Sequence, residues 1–232
     1  PDPEDAPARL IRALVAVDAR KPKAEVGPEI RELLARAGKH GGGLTGAILR
    51  SPALVSSLVK ARLMSDSLTA ATISDTVHVT GFGGAEAPNV VPSEVWAVLD
   101  CRLLPGHTKE AMLTELVDLV ADIEGIRFEE IESTVPNVSP SDDPLVAAIA
   151  RTLVRDRPDA VVGPVVSVGS TDSTYFRALG VHAYGINPVV VSRGEALGMH
   201  GDNERVSSDN IRSALRDLFT IVVDFAGATS GS

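Results

Sequence analysis

The stretch that decides the fold runs Thr76-Val77-His78-Val79-Thr80-Gly81-Phe82-Gly83-Gly84, then Val90-Val91-Pro92-Ser93-Glu94-Val95-Trp96-Ala97-Val98-Leu99-Asp100-Cys101-Arg102-Leu103-Leu104, and closes on Pro105-Gly106. In the first part Val77, Val79 and Gly81 alternate with polar residues, the period of two of a half-buried strand. The second part is expected to be a long strand from Val90 to Leu104. It would set Val95, Ala97, Leu99 and Cys101 on one face and Glu94, Trp96, Val98, Asp100 and Arg102 on the other. With a turn at Gly83-Gly84, the pair reads as a β-hairpin.

Outward from the hairpin, Pro105-Gly106 stops the sheet and Lys109 to Ile123 has the spacing of an amphipathic helix. Arg127 to Thr134 alternates again and is expected to be a strand. On the other side, Pro3 to Ala19 reads as a helix. Asp2 or Asp5 can cap it, Pro3 or Pro7 suits its first turn, and Leu10, Leu14 and Val17 recur at helical spacing. Lys21 to Asp75 is less regular. Ile30, Leu33 and Leu34 make Val26 to Ala37 helical until Gly38 and Gly41-Gly42-Gly43 break it, and Ser51-Pro52 starts a helix to Met64. Helix, two strands, helix and strand make most of a ferredoxin-like split βαβ domain, whose first strand is expected just before Pro1.

After Val135 the pattern changes. Ser141 is expected to cap a helix over Pro144 to Arg155, Val161 to Val168 and Val181 to Ile186 read as short buried strands, and Thr171 to Leu179 as a helix between them. Asn187 to Asn203 is irregular, and Ser207 or Ser208 starts a last helix reaching about Phe225. Alternating helices and apolar strands imply an α/β layer with parallel strands. The fold class is therefore α/β, an α+β ferredoxin-like part followed by an α/β layer.

A chain of 232 residues with 44% apolar and 23% charged residues is an ordinary globular composition. Its net charge of −9 argues against nucleic acid as a partner, and no apolar run of 18 residues exists to span a membrane. The single cysteine, Cys101, can form no internal disulfide and no Cys-rich zinc module. Pro1 stands where an initiator methionine would, so a processed chain or a piece of a longer one is expected. Targeting cannot be read from it, and the cytoplasm is the default compartment.

Three segments could carry chemistry. Arg102 ends a strand beside a Pro-Gly turn, where a guanidinium can clamp a carboxylate; the plainer alternative is a surface arginine paired with Asp100 or Glu94. Gly169-Ser170-Thr171-Asp172 lies between an expected strand and helix, where free N–H groups can hold an anion or Ser170 or Thr171 can simply cap the helix. His200, among Asp202 and Glu204, suits either a zinc ligand or a salt-bridged surface residue. No G-x-S-x-G elbow supports a serine hydrolase.

Taken in order, these segments resemble the di-zinc metallopeptidase family of aminoacylase, glutamate carboxypeptidase, succinyl-diaminopimelate desuccinylase and carboxypeptidase S. Pro1-x-Pro3-x-x-Ala6 looks like the residues after that family's His-Gly-Ser motif. Asn89-Val90-Val91-Pro92 with Asp100-x-Arg102-x-x-Pro105-Gly106 looks like its lid-domain hairpin. Gly169-Ser170-Thr171-Asp172 and His200-Gly201-x-x-Glu204-Arg205-Val206 resemble its Gly-Gly-Thr-Asp and closing histidine motifs. The long insertion from Lys21 to Asp75 points toward the carboxypeptidase S-like or aminoacylase-like branch.

The resemblance implies a lid and dimerisation domain over 1–136 and the last part of a catalytic domain over 137–232. It implies substrate contacts from Asn89, Arg102, Gly169, Ser170, Thr171 and Asp172, with Arg102 on a terminal carboxylate, and His200 as a zinc ligand. The complete protein would be a homodimeric amidohydrolase with two zinc ions per subunit, cleaving an amide bond next to a free carboxylate in a small peptide or N-acyl amino acid. The family's other ligands and its general base, a glutamate, find no match here. The chain alone is therefore expected to hold no zinc pair and to be inactive. The alternative is a non-catalytic dimerising or ligand-binding module.

Overall fold

The computed structural model describes residues 4–84, 87–199 and 201–229. In chain order it contains α1 (Ala6–Asp18), α2 (Pro28–Gly41), α3 (Gly43–Arg50), α4 (Pro52–Leu54), a π-helical turn (Val55–Val59), α5 (Lys60–Met64), α6 (Ser67–Ala70), β1 (Thr76–Gly83), β2 (Trp96–Arg102), α7 (Lys109–Leu119), α8 (Pro144–Asp156), α9 (Ser173–Ala178), α10 (Arg193–Leu197) and α11 (Ser208–Thr229). The chain divides into two compact units. One comprises Pro1–Arg31, Ser51–Val138 and Val165–Ser170, the other Glu32–Arg50, Ser139–Pro164 and Thr171–Ser232.

In the first unit β1 and β2 pair antiparallel, from Thr76 opposite Arg102 to Gly83 opposite Trp96, with a bulge between Val79 and Gly81. The extra residue, Thr80, bends β1 and shifts its alternation. The faces of β2 are as the alternation requires: Leu99 and Cys101 pack on the core, while Trp96 and Arg102 are exposed. The strand is shorter than expected. It starts at Trp96, opposite Gly83 where β1 ends, so the residues before it have no ladder partner among the described residues.

The core of this unit is a helix–helix seam laid on the hairpin. Ala13 and Val17 of α1, one turn apart, meet Met112 and Leu116 of α7 and the following Val120, with Val77, Leu99, Cys101, Ile126 and Phe128 packed around them. Asp5 caps α1 by accepting from the Ala8 N–H at 2.9 Å, and Pro7 sits in its first turn. Thr108 caps α7 through Ala111 N–H at 3.3 Å. Arg127 to Thr134, expected as a strand, forms no ladder. Phe128 still packs on the core, but no strand among the described residues pairs with this segment.

In the second unit α8 and α11 pack together. Ala148, Ile149 and Thr152 are buried on α8; Ala214, Asp217 and Ile221 are buried on α11. Asp143, not the expected Ser141, caps α8, accepting from Leu145 N–H at 2.8 Å. Ser141 instead donates to Glu32 at 2.9 Å. Ser207 accepts from Asn210 N–H at 3.2 Å at the start of α11, as the sequence suggests.

Val181 to Ile186, in the second unit, and Val161 to Val168 are not strands. A buried apolar run becomes a strand only where a neighbour supplies the ladder, and here side chains take the backbone groups instead. Arg36 donates to the Val162 carbonyl at 3.0 Å, and the Ala183 N–H donates to Ser139 Oγ at 3.0 Å. The parallel sheet expected after Val135 is therefore not formed among the described residues. The architecture is helices with one small antiparallel sheet, a mixed α+β fold. No helix among the described residues is long and apolar enough to cross a membrane.

Candidate functional site

Arg102 closes β2 and its side chain is half exposed. Its Nε and Nη2 both reach Asp100 Oδ2, at 3.2 and 2.9 Å, two residues back on the same strand face. Nη1 donates to the carbonyl of Val168. The pairing with Asp100 raises the Arg102 pKa, so the guanidinium stays charged at any working pH. A guanidinium has five N–H groups. These contacts use three, so two remain without an acceptor among the described residues. Asp100 thus fixes the fork while leaving it able to bind a second oxyanion.

The bond to Val168 brings Arg102 beside Gly169 and Ser170 within the first unit. Gly169 is tied into a local turn, its N–H donating to Ser167 Oγ at 3.3 Å. Thr171 and Asp172 belong to the second unit. Asp172 is the N-terminal flank of α9 but makes no side-chain cap, and α9 has only six residues. Asn89 lies exposed in the turn between the strands, where Val90 N–H bonds the Ala87 carbonyl at 3.3 Å. No hydrogen bond joins Asn89 to Arg102 among the described residues. His200 lies outside the described residues.

Spacing along the sequence missed a second polar cluster. His107, on the turn after β2, bonds Asp75 Oδ2 through Nδ1 at 2.7 Å and faces Glu25 Oε2 from Nε2 at 3.4 Å. Asp75 Oδ1 accepts from Leu104 N–H at 2.7 Å, and Arg20 donates to the Asp75 carbonyl at 3.0 Å. The hydrogen bond from Asp75 pushes the His107 pKa above its ordinary 6.5. A cleft of about 30 Å³ opens here, lined in part by Glu25, Glu29, Thr72, Pro105 and His107. Histidine and carboxylates lie 32 and 82 residues apart in sequence, so only the turn after Pro105 brings them together.

The zinc expectation can be tested on these donors. Among the described residues no group of three His, Cys, Asp or Glu side chains could hold a metal ion. The His107 cluster illustrates why: its two carboxylates sit on opposite ring nitrogens, so they cannot share one ion with the imidazole. Cys101 is half-buried against the core and burial pushes its thiol pKa up, which disfavours the thiolate that a ligand or nucleophile needs. The described residues therefore do not fit a di-zinc centre.

Residues 9–126 match the family model described as the peptidase dimerisation domain of M20 enzymes. The chain belongs to the M20 peptidase family. The match covers most of α1, the hairpin and α7, the elements that build the first unit's core, together with the insertion between them. Relatives lie in the same family. The human N-fatty-acyl-amino acid synthase/hydrolase PM20D1 is 29% identical over 182 residues, 75% of this chain and 36% of that protein. Mouse aminoacylase-1 is 32% identical over 138 residues, 58% of this chain and 33% of the relative. A probable carboxypeptidase S-like protein of Dictyostelium discoideum is 21% identical over 149 residues, 63% and 28% of the two chains. The M20 chain described here spans about a third of the length of these curated relatives.

Proposed function

We propose that this chain is the recognition and dimerisation part of an M20 amidohydrolase. The complete enzyme cleaves an amide bond next to a free carboxylate, in a small peptide or an N-acyl amino acid. The observation that carries the reading is Arg102, a strand-end guanidinium held by Asp100 and the Val168 carbonyl with two donors left over. Those donors suit a carboxylate in the plane of the fork. Names of relatives that act on fatty-acyl amino acids, or are aminoacylases, support the substrate class.

Residues 1–136 serve as the lid in this reading and 137–232 as the end of the catalytic domain. Gly169 and Ser170, next to the Val168 carbonyl that Arg102 holds, would join Arg102 around the carboxylate. Two zinc ions per complete subunit are the family's means of activating water. The described residues offer no ligand set for them, so this chain's share is binding and orientation, and alone it does not hydrolyse. The matched dimerisation domain supports a homodimer, and exposed Ile11 and Val15 on α1, with Leu113 and Val117 on α7, would give it apolar surface.

The test is a nuclear magnetic resonance titration of the chain with N-acetyl-leucine and with its carboxamide, in the parent and in Arg102→Met. Saturable shifts around Arg102 with the acid, at least about tenfold weaker with the amide and lost in Arg102→Met, are expected for a charged pair worth about 1.5–3 kcal/mol. Equal response to acid and amide would remove Arg102 from the site. Light scattering on the same sample should give about twice the 24.2 kDa chain mass; a mass of one chain at every concentration refutes the homodimer.

A further inference from the structure

The face of β2 that carries Arg102 carries more than a cation. Trp96, Val98, Asp100 and Arg102 follow each other at a period of two on the side turned away from the α1–α7 core. Across from them β1 has glycine twice: Gly81 opposite Val98 and Gly83 opposite Trp96. The indole lies over these two glycines. A Cβ on Gly83 would stand 2.7 Å from Trp96 Cζ2, and one on Gly81 would stand 3.7 Å from Cζ3. The missing side chains thus make a shallow seat that presses the ring onto the sheet. Its other side remains open, for Trp96 is 53% exposed.

The result is a strip with a charged end and an apolar end. Six residue steps along the strand lead from Trp96 to Arg102, about 20 Å at roughly 3.3 Å per residue. A single amino acid bound at Arg102 covers only the first part of that length. Only a long extension reaches the indole, and the groups it would meet there are Val98 and the exposed ring.

We propose that the outer face of β2 is an acyl track. It takes the tail of an N-acyl amino acid whose carboxylate is held by Arg102, and Trp96 is a specificity-determining residue that selects long, unbranched apolar acyl groups. The proposal rests on the carboxylate reading of Arg102. It narrows the substrate class from any amide beside a carboxylate to amphiphiles with an extended aliphatic tail. A tail covered on one side by the sheet gains about twofold in affinity per added methylene, about half on a free-energy scale of what full burial would give.

Trp96 is the only tryptophan of the chain, so its emission reports the track directly in the unaltered protein. The probes are N-acetyl-leucine, N-lauroyl-leucine and two bromine-labelled lauroyl-leucines, all kept below the concentration at which they form micelles. One label sits on the carbon beside the carbonyl, the other on the last carbon of the chain. The expected result is lauroyl binding at least tenfold tighter than acetyl, with strong quenching of Trp96 by the terminal bromine and weak quenching by the proximal one. If acetyl and lauroyl compounds bind equally, or both bromines quench alike, the track is overturned while Arg102 keeps its carboxylate, and the indole merely covers two glycines. If dodecanol binds as well as lauroyl-leucine, or neither acyl-leucine binds, the carboxylate reading fails and takes the track with it.

Discussion

Leu113 and Leu116 are the same residue, three positions apart on α7, and should respond very unequally to the same substitution. Leu116 is 4% exposed within the Ala13, Val17, Met112, Val120 cluster, whereas Leu113 is 47% exposed. Replacing Leu116 with alanine removes three buried carbon groups, about 2.4 kcal/mol at roughly 0.8 kcal/mol each. The walls of the gap are two capped helices and the hairpin, which can close only in part, so a cavity contribution brings the total to about 3 kcal/mol. That is a loss of roughly 150-fold in the folding constant. Leu113→Ala, measured in dilute solution, should cost about 0.5 kcal/mol or less. The assay is urea unfolding followed by Trp96 emission, which reports the first unit because Leu99 and Cys101, on the same strand, pack on the cluster. An effect of Leu116→Ala below about 1 kcal/mol, or equal effects for the two leucines, would refute the placement of the α1–α7 seam.

Two further outcomes follow from the polar groups. His107 has its pKa raised above 6.5 by Asp75 first, with Glu25 adding to it. The stabilisation from the charged imidazole is therefore complete below about pH 6.5 and is lost as pH rises through the higher folded value. The melting temperature should fall over that window and the fall should disappear in His107→Gln; an unchanged pH profile would mean the cluster does not hold in solution. The second concerns Asp217, 1% exposed and paired to Arg157 at 2.9 Å, with Asp217 Oδ1 and Arg157 Nη1 both lacking partners among the described residues. Arg157→Ala strands a buried carboxylate and should cost about 3 kcal/mol or more. Arg151→Ala, which opens the exposed pair with Asp224, should cost under about 1 kcal/mol in the same thermal-melt series. Equal costs would show that Asp217 is not buried in solution.

What the sequence made legible was whatever a short window of chain decides. Asp5 before Pro7 and Ser207 before α11 fix helix starts through contacts three residues away, and the alternation of β2 fixes its two faces. The segments misread as strands, Arg127 to Thr134, Val161 to Val168 and Val181 to Ile186, have the right composition. A ladder, however, is a property of two segments, and composition carries no information about the partner. The candidate site divides along the same line. Arg102 was visible because it ends a strand beside Pro105-Gly106, and the plainer pairing with Asp100 two residues away also forms, whereas Val168 is 66 residues off and the His107 cluster joins positions 32 and 82 residues apart. Trp96 was visible as an outward residue, but its seat depends on Gly81 and Gly83 lying opposite. That register is set by a bulge at Thr80 which breaks the very alternation used to find β1. The bulge therefore does two things at once: it hides the register from a periodicity argument, and it places two residues without side chains under the indole, leaving one ring face open along the strand that ends in Arg102.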